Sequence, residues 1–134
     1  MSAWLYKGEE ITSPPEGAYG FVYQITNLIN GMKYIGRKYF WSPKYRQVKG
    51  KKKKYMAESD WQTYYGSSQR LVDDIKQYGK ENFKREILLV ENTRGMVNYM
   101  EAKTQFLLEV LESDEYYNGI INVRIGGRSV KRKE

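Results

Sequence analysis

Three segments of the chain have the residue pattern of β-strands. Residues Tyr19 to Thr26 are largely aromatic or β-branched and roughly alternate, and FKREILLV at 83–90 ends in an apolar run. Between these segments, Asn30-Gly31 predicts a tight hairpin turn because both residues tolerate a positive φ. Residues 32–36 would then return antiparallel to the first strand. The pattern therefore predicts three strands.

Two other segments repeat apolar residues with the period of a helix. The first is capped by the serine at position 67 or 68 and ends at Gly79. The second, which is the longest, begins at position 94 or 95 and runs to about Glu112. The apolar sides are predicted to contain Leu71, Ile75 and Tyr78 in the first helix, and Met96, Met100, Leu107 and Leu111 in the second.

The remaining segments have no clean period. Residues 1–17 read as an irregular lead-in, residues 37–60 as a partly helical or looped insertion with a flexible basic tip, and residues 126–134 as a flexible basic tail. At 134 residues we expect a single domain with its core at about 18–125. The order of elements predicts an α/β domain in which a small three-stranded antiparallel sheet is flanked by helices.

Composition excludes several classes of chemistry. The chain has no cysteine and no histidine, so thiol catalysis, Cys-based zinc sites, Ser–His mechanisms and imidazole metal ligands are all excluded. Any chemistry must use carboxylates, tyrosines, lysines, arginines, amides or bound water.

The charge balance indicates a polyanionic partner. Lys and Arg number 23 against 16 Asp and Glu, a formal net charge of +7, and nucleic acid is the commonest partner of such chains. The N-terminus lacks the apolar core of a signal peptide, and no apolar run approaches membrane-spanning length. We therefore expect a cytoplasmic protein without a membrane partner.

Several short motifs occur in a fixed order: FVYQITN, NG, YIG, a helix ending in YGKENF, a helix carrying Glu101, and INV near the end. From about Gly20 to Arg124 this order resembles the GIY-YIG nuclease family. The first signature triplet stands as Phe21-Val22-Tyr23, with Phe21 in place of glycine, and the second is intact as Tyr34-Ile35-Gly36.

The resemblance implies the GIY-YIG nuclease fold and hydrolysis of DNA phosphodiester bonds with one divalent cation, Mg²⁺ or Mn²⁺. It implies that Tyr23 acts as, or orients, the base and that Tyr34 positions phosphate or water. It also implies that Glu101 holds the metal and that Asn122 supports the site. A phenol with a pKa of ~10 can serve as a base if nearby cations lower that pKa. Magnesium bound by one carboxylate keeps most of its waters and accepts phosphate oxygens.

One stretch departs from the common family form, which places an arginine about two helical turns after YIG and a histidine one turn later. Here a proline interrupts that stretch, and Arg46 is near the expected spacing but not on it. We favour Lys38, with Arg37 beside it, in the role of the arginine, and Tyr64 or Tyr65 in the role of the histidine. The chain resembles a phage-type subgroup in which YIG precedes a basic pair, a basic insertion and a W-x-x-Y-x-G-S block, here Trp61, Tyr64, Gly66 and Ser67.

A further set of residues is assigned to DNA contact. The lysine run is predicted to follow the DNA backbone without reading sequence, so that affinity falls with salt. Trp61 belongs to this set, although we expect it to be a core anchor rather than a base-stacking platform. The set consists of Lys44, Lys51, Lys52, Lys53, Lys54, Trp61, Ser67, Arg124 and Arg128.

The sequence thus favours a metal-dependent DNA endonuclease encoded by a phage or mobile element. Specificity would come from the insertion, the tail, DNA structure or a partner protein. Two alternatives stay open. One is a catalytically inactive DNA-binding module on the same fold, motivated by Phe21 and the missing arginine. The other, less favoured, is an RNA-binding protein, for which small size and basicity would also serve.

Overall fold

The computed structural model describes residues 3–131. Within that range the chain forms seven strands and three α-helices, with single 3₁₀ turns at Trp61–Thr63 and Lys80–Asn82. In chain order the elements are β1 (Trp4–Tyr6), β2 (Glu9–Ile11), β3 (Gly20–Asn27), β4 (Lys33–Tyr39), β5 (Trp41–Val48), β6 (Lys51–Glu58), α1 (Gln69–Tyr78), β7 (Phe83–Glu91), α2 (Arg94–Leu107) and α3 (Gly127–Val130).

The main sheet has five strands in the order β2-β1-β7-β3-β4. The three predicted strands are present as β3, β4 and β7, and they pair antiparallel. The prediction of a three-stranded antiparallel sheet is nevertheless too small. Strand β1 joins β7 in parallel and β2 pairs antiparallel with β1, so the sheet is mixed.

Two hairpins replace segments that were predicted to be irregular. The first, β1–β2, lies in the lead-in, and the second, β5–β6, makes up most of residues 37–60. Both turn on a Lys-Gly pair with positive φ at both residues: 53° and 82° at Lys7 and Gly8, and 51° and 77° at Lys49 and Gly50. Two such residues match the twist of the strands on either side. The prediction of a partly helical or looped insertion is therefore wrong.

The β3–β4 connection is also longer than the predicted two-residue turn. The Asn27 N–H donates to the Met32 carbonyl over 2.8 Å, which leaves four residues in the loop, and only its last residue, Gly31, has a positive φ. The tail differs too, since Gly127–Val130 are helical. Residues 132–134 of the predicted flexible tail lie outside the described residues.

The predicted helices are present, but the second is shorter than expected. Helix α1 follows Ser68 and ends before Gly79, as the sequence indicated. Helix α2 stops at Leu107 because Glu109 takes a left-handed φ of 54°. Leu107 and Leu111 are 72% and 48% exposed, so the predicted apolar stripe does not extend to them. No helix within residues 3–131 combines the length and apolar character needed to cross a membrane.

An aromatic core lies on one face of the sheet. Phe21 packs against Phe40 and Trp4 at ring distances of 4.8 and 5.0 Å, and Trp61 packs against Phe40 at 5.0 Å. All four rings are at most 1% exposed. The opposite face carries a smaller cluster around Val22, on the side where α2 packs.

Candidate active site

Tyr23 lies against the backbone of the neighbouring strand because Gly36 has no side chain. The two residues are cross-strand partners in the β3–β4 pair. A methyl group at Gly36 would lie 2.6 Å from Cζ of Tyr23 and 2.8 Å from Cε2 of Tyr34. With glycine there, the two phenol rings approach to 6.1 Å. The glycine of the YIG triplet therefore has a direct packing role in this pair of tyrosines.

An irregularity in the β3–β7 pairing also affects Tyr23. The β3–β7 register shifts between Val22 and Tyr23, which pair with Leu89 and Ile87, so Leu88 is an extra residue on β7. Such bulges bend a strand and redirect the side chains beside them. Tyr23 thus sits where the sheet is locally bent.

Burial controls the ionisation of both phenols. Burial first, and then the neighbouring Tyr64 and Tyr34 phenols, raise the pKa of Tyr23 well above its ordinary value. Burial also raises the pKa of Tyr34, and the opposing hydrogen bond from Ser67 and the charge of Arg37 do not offset it. The cations that were expected to lower the pKa of Tyr23 do not do so in this arrangement. Both phenols are therefore neutral hydrogen-bonding groups here.

Glu101 lies across the edge of β4 from the phenols and is held by Arg37. Oε1 of Glu101 is 2.6 Å from Nη1 of Arg37, which donates a hydrogen bond to it. The Glu101 side chain is only 13% exposed. Burial raises the pKa of Glu101, and Arg37 acts in the opposite direction without offsetting it. This glutamate therefore faces the cleft rather than lying on a solvated helix face.

Helix α2 follows the outer edge of β4 through a series of polar contacts. Gln105, one turn after Glu101, donates to the Ile35 carbonyl over 2.9 Å. Asn118 binds the same strand residue twice, accepting from its N–H over 3.0 Å and donating to its carbonyl over 2.8 Å. Three α2 side chains thus meet successive outward positions of β4: Asn98 contacts Tyr39, Glu101 contacts Arg37 and Gln105 contacts Ile35.

Lys38 approaches the cleft from the same face of the sheet as the tyrosines. Its Nζ is 2.6 Å from Oδ1 of Asp60 and 4.2 Å from the centre of the Tyr64 ring. The hydrogen bond from Lys38 lowers the pKa of Asp60, but the Asp60 side chain is 71% exposed. Exposed ion pairs of this kind contribute little, so Lys38 can leave Asp60 for a stronger anion.

A buried arginine holds the segment that carries Tyr64. Arg85 is 3% exposed, and its Nη1 donates to the carbonyls of Gln62 and Tyr64 over 3.0 and 2.7 Å. Its guanidinium carbon lies 4.7 Å from the centre of the Trp4 ring and 4.0 Å from that of the Tyr65 ring. Arg85 therefore fixes the turn that presents Tyr64 to Tyr23, whose ring lies 6.0 Å from that of Tyr64.

These groups line one cleft of about 550 Å³. Of the residues predicted from sequence, the cleft brings together Tyr23, Tyr34, Arg37, Lys38, Tyr64, Ser67, Glu101 and Asn122. Its walls also include Tyr19, Tyr39 and Arg94, which the sequence analysis did not single out.

Other predicted residues lie elsewhere. Arg46 is on the β5–β6 hairpin, where its guanidinium carbon lies 5.3 Å from the centre of the Tyr55 ring, and it does not line the cleft. Trp61 is fully buried, so it cannot stack on bases and belongs to the core. Tyr65 is 9% exposed and lies outside the cleft, which leaves Tyr64 as the tyrosine in the position proposed for the missing histidine.

The DNA-contact set is likewise spread over several surfaces. Ser67 lies inside the cleft, hydrogen-bonded to Tyr34. The lysines of the set are all exposed on the β5–β6 hairpin. Arg124 and Arg128 are exposed in the C-terminal segment and do not line the cleft.

The carboxylate of Glu101 fits one particular mode of binding a magnesium or manganese ion. Across residues 3–131, no three His, Cys, Asp or Glu side chains cluster closely enough to hold a metal among themselves. Magnesium is commonly bound through one or two carboxylates together with substrate phosphates. A lone carboxylate facing a polar cleft suits that mode and does not suit a cation caged by protein alone.

Comparison with known sequences shows which family the chain resembles. The model of the family described as "Putative endonuclease segE, GIY-YIG domain" matches residues 4–121. Two proteins of Enterobacteria phage T4 are similar: "Putative endonuclease segE" is 35% identical over 100 residues, and "Putative endonuclease segD" is 35% identical over 107.

These alignments cover 75% and 80% of this chain but 40% and 38% of the relatives, so the chain spans about two fifths of their length. No solved structure matches the chain. Because the family match extends over residues 4–121, this chain belongs to the GIY-YIG endonuclease family, in its segE-type form.

Proposed function

We propose that this chain is an endonuclease that hydrolyses DNA phosphodiester bonds in the cleft at the β4 edge, with Mg²⁺ or Mn²⁺ as cofactor. In the reaction, water adds to phosphorus and the bond from phosphorus to one sugar oxygen breaks, giving a phosphomonoester and an alcohol. The observation that carries the proposal is the convergence on one cleft of a buried carboxylate, two packed phenols and two cations. The phage relatives favour a phage origin.

Glu101 is the residue that would hold the cation, which supplies Lewis-acid stabilisation of charge on the phosphate when bound. Arg37 neutralises Glu101 in the structure and also donates from Nε to the Tyr39 hydroxyl over 3.2 Å. A cation at Glu101 would take over that neutralising role. Arg37 would then be available to the phosphate, with Tyr39 as its remaining partner.

Lys38 is our choice for the fixed positive charge that the pentacovalent phosphate requires. It lines the cleft, its present partner is the exposed Asp60, and its ammonium contacts the ring of Tyr64, which packs against Tyr23. Arg46 has none of these contacts, which supports the choice of Lys38 over Arg46.

The phenols are better suited to positioning than to removing a proton. Tyr23 has a pKa raised by burial and by the two phenols beside it, so it keeps its proton and can donate a hydrogen bond. Tyr34 is only partly buried and faces the cleft beside Ser67. We propose that Tyr34 orients the phosphate or the water directly and that Tyr23 holds Tyr34 and Tyr64 in place.

The test is nicking of a supercoiled plasmid with Mg²⁺ or Mn²⁺ by the unmodified protein and by Glu101→Gln. We expect the variant to lose at least ~10²-fold in rate, the scale seen when one stabilising group is removed. Glu112→Gln is the matched control, since Glu112 is exposed and lies outside the cleft. Equal nicking by Glu101→Gln would remove the proposed ligand. DNA binding by the unmodified protein without nicking in either metal would instead support an inactive binding module.

A further inference from the structure

Most of the excess charge of the chain lies on the β5–β6 hairpin. Residues 41–58 include seven Lys and Arg and one acidic residue, Glu58 at the end of β6, which gives the hairpin a formal charge of +6. The 16 Lys and Arg elsewhere are nearly balanced by 15 Asp and Glu, so the rest of the chain contributes +1 to the total of +7. A charge concentrated on one projecting element points to a polyanion bound by that element rather than by the protein surface in general.

The strand register divides the hairpin into two faces. Cross-strand partners share a face, and successive residues alternate between faces. Arg46 lies opposite Lys53, Lys44 lies opposite Tyr55, and Lys51 follows on the same side. We call this set the cationic face: Lys44, Arg46, Lys51, Lys53 and Tyr55. The other face is mixed, because Lys52 and Lys54 alternate there with Gln47, Tyr45 and Met56.

Carboxylates relieve the repulsion within the cationic face only slightly, since Lys44 acts on the exposed Asp60 but Asp60 forms its ion pair with Lys38. Like charges directly opposite one another, such as Arg46 and Lys53, destabilise a strand pair. Among the described residues, the ion pairs are Arg37–Glu101, Lys38–Asp60 and Lys84–Glu86, and none involves the hairpin. A row of anions outside the protein would offset the repulsion between these positive charges.

The hairpin begins at the mouth of the cleft. Its base is fixed by Trp41, which donates to the Ala18 carbonyl over 3.1 Å, and by Ser59, which donates to the Tyr39 carbonyl over 2.6 Å. Ser42 and Pro43 line the cleft itself. Beyond them, residues 43–47 and 49–56 are exposed, so the two strands project away from the body.

The dimensions fit a groove of duplex DNA. Eight residues at ~3.3 Å each give a ribbon about 26 Å long. That length corresponds to roughly eight base pairs at 3.4 Å per step along one strand. The major groove of B-DNA is wide enough to admit a two-stranded β-ribbon, whereas the major groove of A-form RNA is too narrow for side chains to read.

We propose that the β5–β6 hairpin docks in the major groove of duplex DNA beside the cleavage point, with the cationic face on the phosphates. This inference rests on the proposed function, since the groove belongs to the duplex that the cleft would cut. It adds a place and an orientation. The hairpin contacts about eight base pairs on one side of the scissile bond, and the cleft meets the DNA backbone at the base of the hairpin.

The first experiment measures binding without cleavage. Fluorescence anisotropy with a labelled duplex in EDTA, at several salt concentrations, gives the slope of log K against log[salt]. Neutralising three cations of the cationic face should reduce that slope by about 2–3, because each lost phosphate contact contributes ~0.9. The ribbon variant is Arg46→Gln, Lys51→Gln and Lys53→Gln, and the matched control of equal charge is Lys76→Gln, Lys84→Gln and Lys103→Gln.

The control triple should change the slope by less than about 1. A ribbon triple with an unchanged slope, or a control triple with an equal loss, would overturn the proposal. Should the ribbon triple fold poorly, as judged by its urea midpoint, the single variant Arg46→Gln replaces it. That variant should lose about 1 in slope, and an unchanged slope refutes the proposal in the same way.

The second experiment locates the groove. Dimethyl sulfate methylates guanine N7 in the major groove and adenine N3 in the minor groove. The unmodified protein should protect guanine N7, and the ribbon triple should lose that protection. Protection of adenine N3 alone, or equal binding of duplex RNA, would overturn the groove assignment. These readings need no cleavage, so loss of nicking in Glu101→Gln tests the proposed function separately.

Discussion

Gly36→Ala is the most direct test of how the cleft is built. A methyl group at position 36 would meet the rings of Tyr23 and Tyr34 at separations below 3.0 Å, which packed side chains do not tolerate. Tyr34 is only partly buried and can yield, but Tyr23 is 1% exposed. The Tyr23 ring is enclosed by Trp4 at 5.2 Å and by Tyr64 at 6.0 Å, so it has little space to move into.

The expected cost follows from that enclosure. Overpacking a closed core costs typically ~1–3 kcal/mol in the free energy of unfolding. For a domain of this size, each kcal/mol lowers Tm by roughly 2–8 °C. The variant should therefore melt about 2–24 °C lower than the unmodified protein, with the middle of that range the expectation. Displacement of a phenol by about 1 Å can cost ~10²-fold in rate, so cleavage should fall more than stability explains.

Urea denaturation followed by tryptophan fluorescence gives the free energy of unfolding, and plasmid nicking at a temperature where both proteins are folded gives the rate. Gly119→Ala is the matched control, because a methyl group there meets no atom within 4 Å. That variant should leave both quantities unchanged. If Gly36→Ala were as stable and as active as the control, the packing role assigned to Gly36 would be wrong.

Three further outcomes follow from the contacts of the cleft. Lys38→Met should lower the cleavage rate by ~10²-fold or more and leave DNA affinity largely unchanged. Arg46→Met should weaken DNA binding and leave the cleavage rate at saturating DNA unchanged. The opposite pattern would show that Arg46, and not Lys38, supplies the positive charge at the phosphate. Arg37→Gln removes a charge that lowers the pKa of Glu101, so that pKa should rise further. In a pH titration of Mn²⁺ affinity, the pH below which binding is lost should therefore be higher in the variant. The same or a lower pH would contradict this reasoning. Arg85→Met leaves two backbone carbonyls without their hydrogen-bond donor and should lower the free energy of unfolding, measured in urea, by ~1–3 kcal/mol. The cleavage rate should also fall.

The fold could be predicted where a segment carries its own pattern. The strands β3, β4 and β7 and helix α1 all have clear periods or caps, and they were found within a few residues. The hairpins β1–β2 and β5–β6 were missed for a physical reason. Their turns are Lys-Gly pairs, a weaker sequence signal than Asn-Gly, and seven cations masked the alternation of the second hairpin.

The end of α2 shows a different limit. Leu107 and Leu111 continue an apolar period in the sequence, but the chain leaves the helix through Glu109 so that Val110 becomes buried. Burial of one residue from outside the helix overrides the local period. The local sequence does not predict that the helix ends here, because glutamate rarely takes the positive φ that ends it.

The site was predictable only where the resemblance named residues. Tyr23, Tyr34 and Glu101 were identified that way, and the structure gathers them into one cleft. Asn118 could not be found, since it bonds to backbone groups of β4, and a backbone partner leaves no trace in the sequence. Arg85 did leave a signal: it shares the inward phase of Phe83 and Ile87 on β7, which marks a buried cation.

The position of Glu101 follows from matching the repeat of a helix to that of a strand. Residues four apart on α2 are about 6.0 Å apart along its axis, and residues two apart on β4 are about 6.6 Å apart. Gln105 can therefore bind Ile35 while Glu101 binds Arg37, one helix turn for each outward strand position. An edge strand needs such partners for its exposed backbone groups. Since the same contacts that satisfy the edge also orient the carboxylate, one glutamate is held in place without further acidic residues.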